Sequence, residues 1–116
     1  GGSHAAALFD ELGQLIDIKE DIGRHNALDK LFGSSLVARN ISHSQCCVLV
    51  SGRISFEIVQ KTVMAGVAVL IAVGAPSELA ILAAKRFDLT LIGFTKQSGF
   101  NLYNGDWRLL PLQDKY

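Results

Sequence analysis

The sequence predicts an α/β fold, a three-layer α/β/α sandwich built on a mostly parallel sheet. Three apolar runs, Cys46-Cys47-Val48-Leu49-Val50, Val67 to Val73 and Leu89-Thr90-Leu91-Ile92, read as strands buried on both faces. Segments with helical spacing lie between them, and short connections of this kind imply right-handed crossovers. These two observations carry the fold class.

Taken in chain order, the opening stretch His4 to Asp10 reads as a short helix. Leu15-Ile16-Asp17-Ile18-Lys19 alternates after Ile16 and reads as a strand with one more exposed face. Leu28, Leu31 and Phe32 repeat at i, i+3, i+4 and predict a helix before the Cys46 strand. Ser55 is a candidate N-cap, with Glu57 near the positive helix end, and Phe56, Val59, Val63 and Met64 continue the helical spacing. Gly66 stands where that helix should stop. Pro76 suits a first helical turn, and Leu79, Leu82 and Ala83 follow at helical spacing. A polar tail follows the Leu89 strand. No internal repeat, low-complexity stretch or linker interrupts the chain, so residues 1–116 form one domain.

Eleven Lys plus Arg balance eleven Asp plus Glu, and a neutral chain argues against a nucleic-acid binder. A hydrophobic fraction of 49% excludes disorder. The 19% charged content is below the usual ~25%, which leaves apolar surface for another domain or subunit. The longest apolar run, Val67 to Val73, is too short to span a membrane, and no signal peptide is visible. A bridge between the neighbours Cys46 and Cys47 would close a strained ring, so both read as reduced thiols of a cytoplasmic protein.

Ligands of open α/β sheets bind beyond the carboxyl ends of the strands. Four post-strand loops would meet there: Glu20 to Asn26, Ser51-Gly52-Arg53, Gly74-Ala75-Pro76-Ser77, and Gly93 to Gly99. Helix N-termini favour anions, and Arg24, His25, Arg53 and Lys96 add charge and donors. A phosphorylated ligand fits such an edge, with Phe94, Phe100 and Tyr103 available to stack on a base. Ordinary turns and solvated charges are the plainer reading of the same residues. His4-Ala5-Ala6 departs from the H-x-E signature of zinc deaminases, because Ala6 stands where the general acid/base belongs. Adjacent cysteines also lack the spacer of a metal-binding pair, so no zinc site is expected. Cys46 and Cys47 read as core residues, His43 as an exposed loop residue, and His25 as either a structural or a catalytic imidazole. No phosphate-loop or dinucleotide fingerprint is present.

Several motifs together resemble a known family. They are Gly1-Gly2-Ser3-His4-Ala5-Ala6-Ala7-Leu8, the stretch from Glu20-Asp21-Ile22-Gly23-Arg24-His25-Asn26 to Lys30, and Val50-Ser51-Gly52-Arg53-Ile54-Ser55-Phe56 through Lys61. The run from Ala65-Gly66 to Ala75-Pro76, then Leu91-Ile92-Gly93-Phe94 and Phe100-Asn101-Leu102-Tyr103, complete the pattern. In this order they resemble the formate dehydrogenase accessory sulfurtransferases, FdhD/NarQ. The resemblance marks Gly1-Gly2-Ser3-His4 as native sequence rather than a cloning scar.

The resemblance implies a cytidine-deaminase-like fold and a sulfur carrier that passes sulfur from a cysteine desulfurase to the molybdenum cofactor of formate dehydrogenase. It implies a persulfide on a C-x-x-C cysteine upstream of Gly1, so this chain is the C-terminal, cofactor-binding domain of a longer protein and is not expected to catalyse alone. It places molybdenum bis(molybdopterin guanine dinucleotide) at Phe94, Thr95, Lys96, Gln97, Ser98 and Gly99, with GDP or GMP as mimics, and implies a homodimer. Gln97-Ser98-Gly99 lacks a basic residue found in some members, for which Arg24 and Arg53 could compensate at the pyrophosphate. The alternative from another class is a dimerisation or docking module for the desulfurase or dehydrogenase. A Cys46/Cys47 redox switch is a third reading.

Overall fold

A computed structural model describes residues 4–38, 43–94 and 99–105 of the chain. Six strands form one sheet in the order β2-β1-β3-β4-β5-β6. They are β1 (His4–Phe9), β2 (Leu15–Asp21), β3 (Cys47–Val50), β4 (Val69–Ala72), β5 (Thr90–Phe94) and β6 (Phe100–Asn104). The helices are α1 (Arg24–Ala38), α2 (Phe56–Met64) and α3 (Glu78–Arg86).

The α/β class holds, and the four strands expected from the sequence are β2, β3, β4 and β5. β3, β4 and β5 pair in parallel, and β2 points the same way because β1 is antiparallel to both β2 and β3. The sheet is mixed because two further strands, β1 and β6, run against these four.

The expected helix at His4 to Asp10 is strand β1. Its three alanines favour a helix locally, but the segment is zipped between β2 and β3, and pairing on both edges overrides that preference. Asp10 accepts the N–H groups of Leu12 and Gln14 and Gly13 takes φ +80°, which closes the β1–β2 hairpin. β6 lies in what reads as the polar tail. Asn104 fixes it by donating its amide to the carbonyls of Ala84 and Leu89 at 3.0 and 2.8 Å.

All three helices pack on one face. Ala6, Leu8, Val48, Val50, Leu70, Ala72 and Leu91 meet Ala27, Leu28 and Leu31 of α1, Ile58 and Val59 of α2, and Ala80, Ala83 and Ala84 of α3 in a single buried cluster. Right-handed crossovers that always step toward β5 must place every helix on the same side. The second helical layer of the expected sandwich is not among the described residues. On the other face Cys47, Leu49, Val69 and Ile71 are half-buried.

The helix faces also differ from the simplest reading of their spacing. α3 buries alanines and turns Leu79 and Leu82 outward, while α2 buries Ile58, Val59 and Thr62 and exposes Met64. Thr62 is tolerated inside because its hydroxyl donates to the Ile58 carbonyl at 2.8 Å.

Gly105 takes φ +91°, and a Cβ there would stand 2.7 Å from the Cα of Thr90, whose hydroxyl donates to the Gly105 carbonyl. Strain and overpacking together should make Gly105→Ala cost about 2–4 kcal/mol in urea unfolding. Asp21, which ends β2, accepts Lys30 at 2.6 Å and the Gly23 N–H at 3.1 Å. The Lys30 bond, then the Gly23 bond, hold its carboxyl down to about 2. The native state therefore binds this proton less readily than the unfolded chain. Its contribution is complete above the ordinary carboxylate range and is lost as pH falls toward 2. Lys30→Ala should move the Asp21 titration upward, read by NMR, and flatten stability over that interval.

Candidate functional site

The carboxyl ends of β2, β3, β4 and β5 share one edge of the sheet, and β1 begins there, since His4 pairs with Asp21 and Ala6 with Val50. The parallel pairing of β3 with β4 continues beyond the strands. The Val73 N–H donates to the Val50 carbonyl at 3.1 Å, Ile54 bridges Pro76, and the Ser77 N–H donates to the Ile54 carbonyl at 3.0 Å. Ser51 is tied to β1 by its hydroxyl, which accepts the Ala5 N–H at 2.8 Å. The exits are thus held by backbone bonds and cannot drift independently.

Between them lies a cavity of about 250 Å³, lined by Arg24, Arg53, Ile54, Ser55, Ala75, Pro76 and Ser77. Three helices begin around it. Asp21 caps the turn into α1 and so places Arg24. Ser55 caps α2 by accepting the Ile58 N–H at 3.4 Å, and Ser77 caps α3 by accepting the Ala80 N–H at 3.1 Å. Capped N-termini still turn first-turn N–H groups and a partial positive charge outward. Two guanidinium groups and two such helix ends give the cavity a chemistry that would suit a phosphate or diphosphate.

Glu57 opposes that field. Its carboxyl is held below the usual range by its own backbone N–H, then by the Ser55 hydroxyl, with His25 and Arg24 adding attraction. A side-chain anion therefore already occupies the start of α2, within electrostatic reach of Arg24 and His25 of α1.

A smaller crevice continues past Arg24 and Arg53 to His4, Ser51 and Gly52. A Cβ on Gly52 would touch the His4 ring at 3.5 Å, one on Gly74 would meet the Gly52 carbonyl at 3.4 Å, and one on Gly93 would meet the Gly74 carbonyl and the Tyr103 ring, both at 3.0 Å. The three exits approach this closely because each carries glycine at that level. Tyr103, expected as a stacking residue, packs partly buried against the core.

Of the residues expected from the sequence, Arg24 and Arg53 are brought together on one cavity, and His25 stands near Glu57. Phe94 ends β5 half-exposed, two strands and roughly 10 Å along the edge from β3. Gly99 precedes β6 with φ +93°. Thr95, Lys96, Gln97 and Ser98 lie outside the described residues. His4 and Glu57 were not expected in the site. A turn at Asp10 to Gln14 followed by an alternating strand is the hairpin signal that would have placed His4 there.

Cys46 and Cys47 take no part in this edge. Cys46 is buried in the core and Cys47 lies half-buried on β3. Burial pushes both thiols up, Cys47 to about 11, which leaves little thiolate for nucleophilic chemistry.

Residues 1–110 match the FdhD/NarQ family. A sulfur carrier protein FdhD of Streptomyces avermitilis is 54% identical over 109 residues, covering 94% of this chain and 39% of that protein. One from Picrophilus torridus is 49% identical over 111 residues, 95% of this chain and 42% of its own. The chain thus spans about two-fifths of the length of these curated relatives. A crystal structure from Desulfotalea psychrophila, described as that of a formate dehydrogenase accessory protein, superposes with a TM-score of 0.82 at 32% identity, over 92% of this chain and 47% of that one. Sequence match and backbone agreement along almost the whole chain place it in the FdhD/NarQ family.

Proposed function

We propose that this chain is the client-binding part of a cytoplasmic sulfur carrier protein serving formate dehydrogenase. In this reading it holds a guanine-dinucleotide form of the molybdenum cofactor while sulfur from a cysteine desulfurase is passed to the metal. The observation that carries the reading is the convergence of Arg24 and Arg53 with the N-termini of α2 and α3 on one cavity. The names of the relatives support the carrier role.

The cofactor enters as cargo. Its pyrophosphate is the portion the cavity fits, because about 250 Å³ is below the roughly 300–1,000 Å³ of pockets that enclose a whole ligand. Arg24 and Arg53 would take phosphate oxygens from two sides, and first-turn N–H groups of α3 would face the same oxygens. Phe94 lies farther along the edge, and Phe94, Thr95, Lys96, Gln97, Ser98 and Gly99 are the proposed seat of the guanine nucleoside. Cys46 and Cys47 would have no part in sulfur transfer, which is assigned to a thiol outside this sequence.

GDP should stabilise the folded chain by RT ln(1 + [GDP]/Kd), so the melting temperature should climb with nucleotide concentration. Arg53→Ala and Arg24→Ala each remove a charge-assisted bond and should weaken GDP binding about tenfold or more in calorimetric titration. No melting shift at millimolar GDP in a folded sample would refute the nucleotide reading. Glu57→Gln removes the resident anion and should tighten GDP binding by a few-fold, with the largest gain at low ionic strength.

A further inference from the structure

β1 aims its first side chain toward the cavity. Side chains alternate along a strand, and Ala6 and Leu8 belong to the buried cluster under the helices. His4, two residues before Ala6, therefore stands half-buried on the helix-bearing face, at the edge where α1 and α2 begin. The antiparallel register that pairs Ala6 with Val50 continues outward. Ala5 and Ser51 exchange two bonds, the Ser51 N–H donating to the Ala5 carbonyl at 3.0 Å and the Ala5 N–H to the Ser51 hydroxyl at 2.8 Å. His4 consequently falls opposite Gly52, and a Cβ on Gly52 would lie 3.5 Å from the imidazole Nδ1. A ring held this way rests on the backbone that carries Arg53.

The crevice between His4, Ser51, Gly52 and the two arginines measures about 10 Å³, close to the least that admits one water. Arg24 and Arg53 line both this crevice and the larger cavity, so a group held between them is separated from the imidazole by room for a single water. The charged groups that face His4 come from three elements. Asp21 stands opposite it on β2 and is already engaged by Lys30 and the Gly23 N–H, while Glu20 alternates to the other face. Arg24 comes from α1, and Arg53 from the connection between β3 and α2. β3 and α2 contribute the uncharged Val50 and Ile58. His25, the next residue of α1, lies near Glu57 instead.

We propose, resting on the anion-binding reading of the cavity, that His4 is a third, proton-dependent ligand of that site, which as imidazolium meets the arginine-held pyrophosphate across the crevice. Imidazole is the side chain that changes charge between about pH 5 and 8, whereas guanidinium stays charged throughout. Arg24 and Arg53 thus supply a constant hold and His4 a variable one. In the empty site both guanidinium groups oppose a charge on His4. An anion between them cancels that opposition, so binding draws a proton onto the ring. Cargo is then held more tightly in mild acid and let go as pH rises.

The probe is diguanosine pyrophosphate, whose diester and guanines do not titrate where imidazole does, so any pH dependence belongs to the protein. Calorimetric titration of the chain at low salt should show about five- to tenfold tighter binding at about pH 6 than at about pH 8. Proton uptake should appear as a heat that varies with the ionisation enthalpy of the buffer. His4→Gln, which keeps a polar side chain without a titrating one, should remove most of that ratio and the buffer-dependent heat. His25→Gln should keep both. In the unaltered chain the His4 imidazole resonances should titrate at higher pH with the probe bound than without it, a measurement that decides should His4→Gln disturb folding. Equal affinity at the two pH values, a ratio that survives His4→Gln, or one that disappears with His25→Gln instead overturns the proposal and leaves the anion site standing. Absence of binding at both pH values refutes the anion site itself, and the role of His4 falls with it.

Discussion

The parallel alignment of β3, β4 and β5 does not end with the last sheet residue, and the site depends on that continuation. Val73 still bonds back to Val50, and beyond Gly52 and Gly74 the Ser77 N–H bonds to the Ile54 carbonyl. A loop after a parallel strand is normally the most variable part of an α/β unit. Here adjacent loops borrow the sheet's own hydrogen-bond pattern before turning into helices. Arg53 and Ser77 are consequently placed by backbone geometry, and only the outer atoms of Arg53 must be ordered when an anion arrives. That ordering cost is part of what separates a receptive site from a scatter of surface charges.

The electrostatics of the edge show a balance. Arg24 and Arg53 would repel each other across an empty cavity, and the helix ends add to that unfavourable field. Glu57 relieves part of it, its carboxyl being lowered first by its own backbone N–H, then by the Ser55 hydroxyl, with His25 and Arg24 adding attraction. Asp21 does similar work at the start of α1, where Lys30 and the Gly23 N–H hold it charged. The chain is neutral overall, yet the site is locally cationic with carboxylates at its margin. A neutral net charge therefore argues against broad polyanion binding without speaking against a single phosphate-sized site.

The central strands and their common direction were legible because parallel strands leave continuous apolar runs even where one face is only half-buried, as Val48 to Val50 and Leu89 to Ile92 do. β1 was not, since Ala5, Ala6 and Ala7 carry no β-branched signature and their strand identity comes from the two neighbours that flank them. β6 was hidden because Asn101 and Asn104 dilute a short alternation whose anchor, the Asn104 amide on Ala84 and Leu89, is tertiary. Arg24 and Arg53 were found by position alone. Their meeting needed the crossover geometry, and it holds because β2 and β3 point the same way although β1 lies between them. The helix faces misled because apolar spacing marks a stripe without saying which stripe is inside. In α3 the small residues face the sheet, and the large ones were the visible signal.

That inversion in α3 bears on the cavity at the helix's own N-terminus. Ala80, Ala83 and Ala84 set how near the helix axis rides above the strands, and Ser77 is carried on the same rigid rod. A bulkier residue at any of the three would lever the helix off its bed and widen the mouth between Ser77 and Arg53. The calibre of an opening made of arginine and serine is thus governed by three methyl groups on the hidden side of a helix.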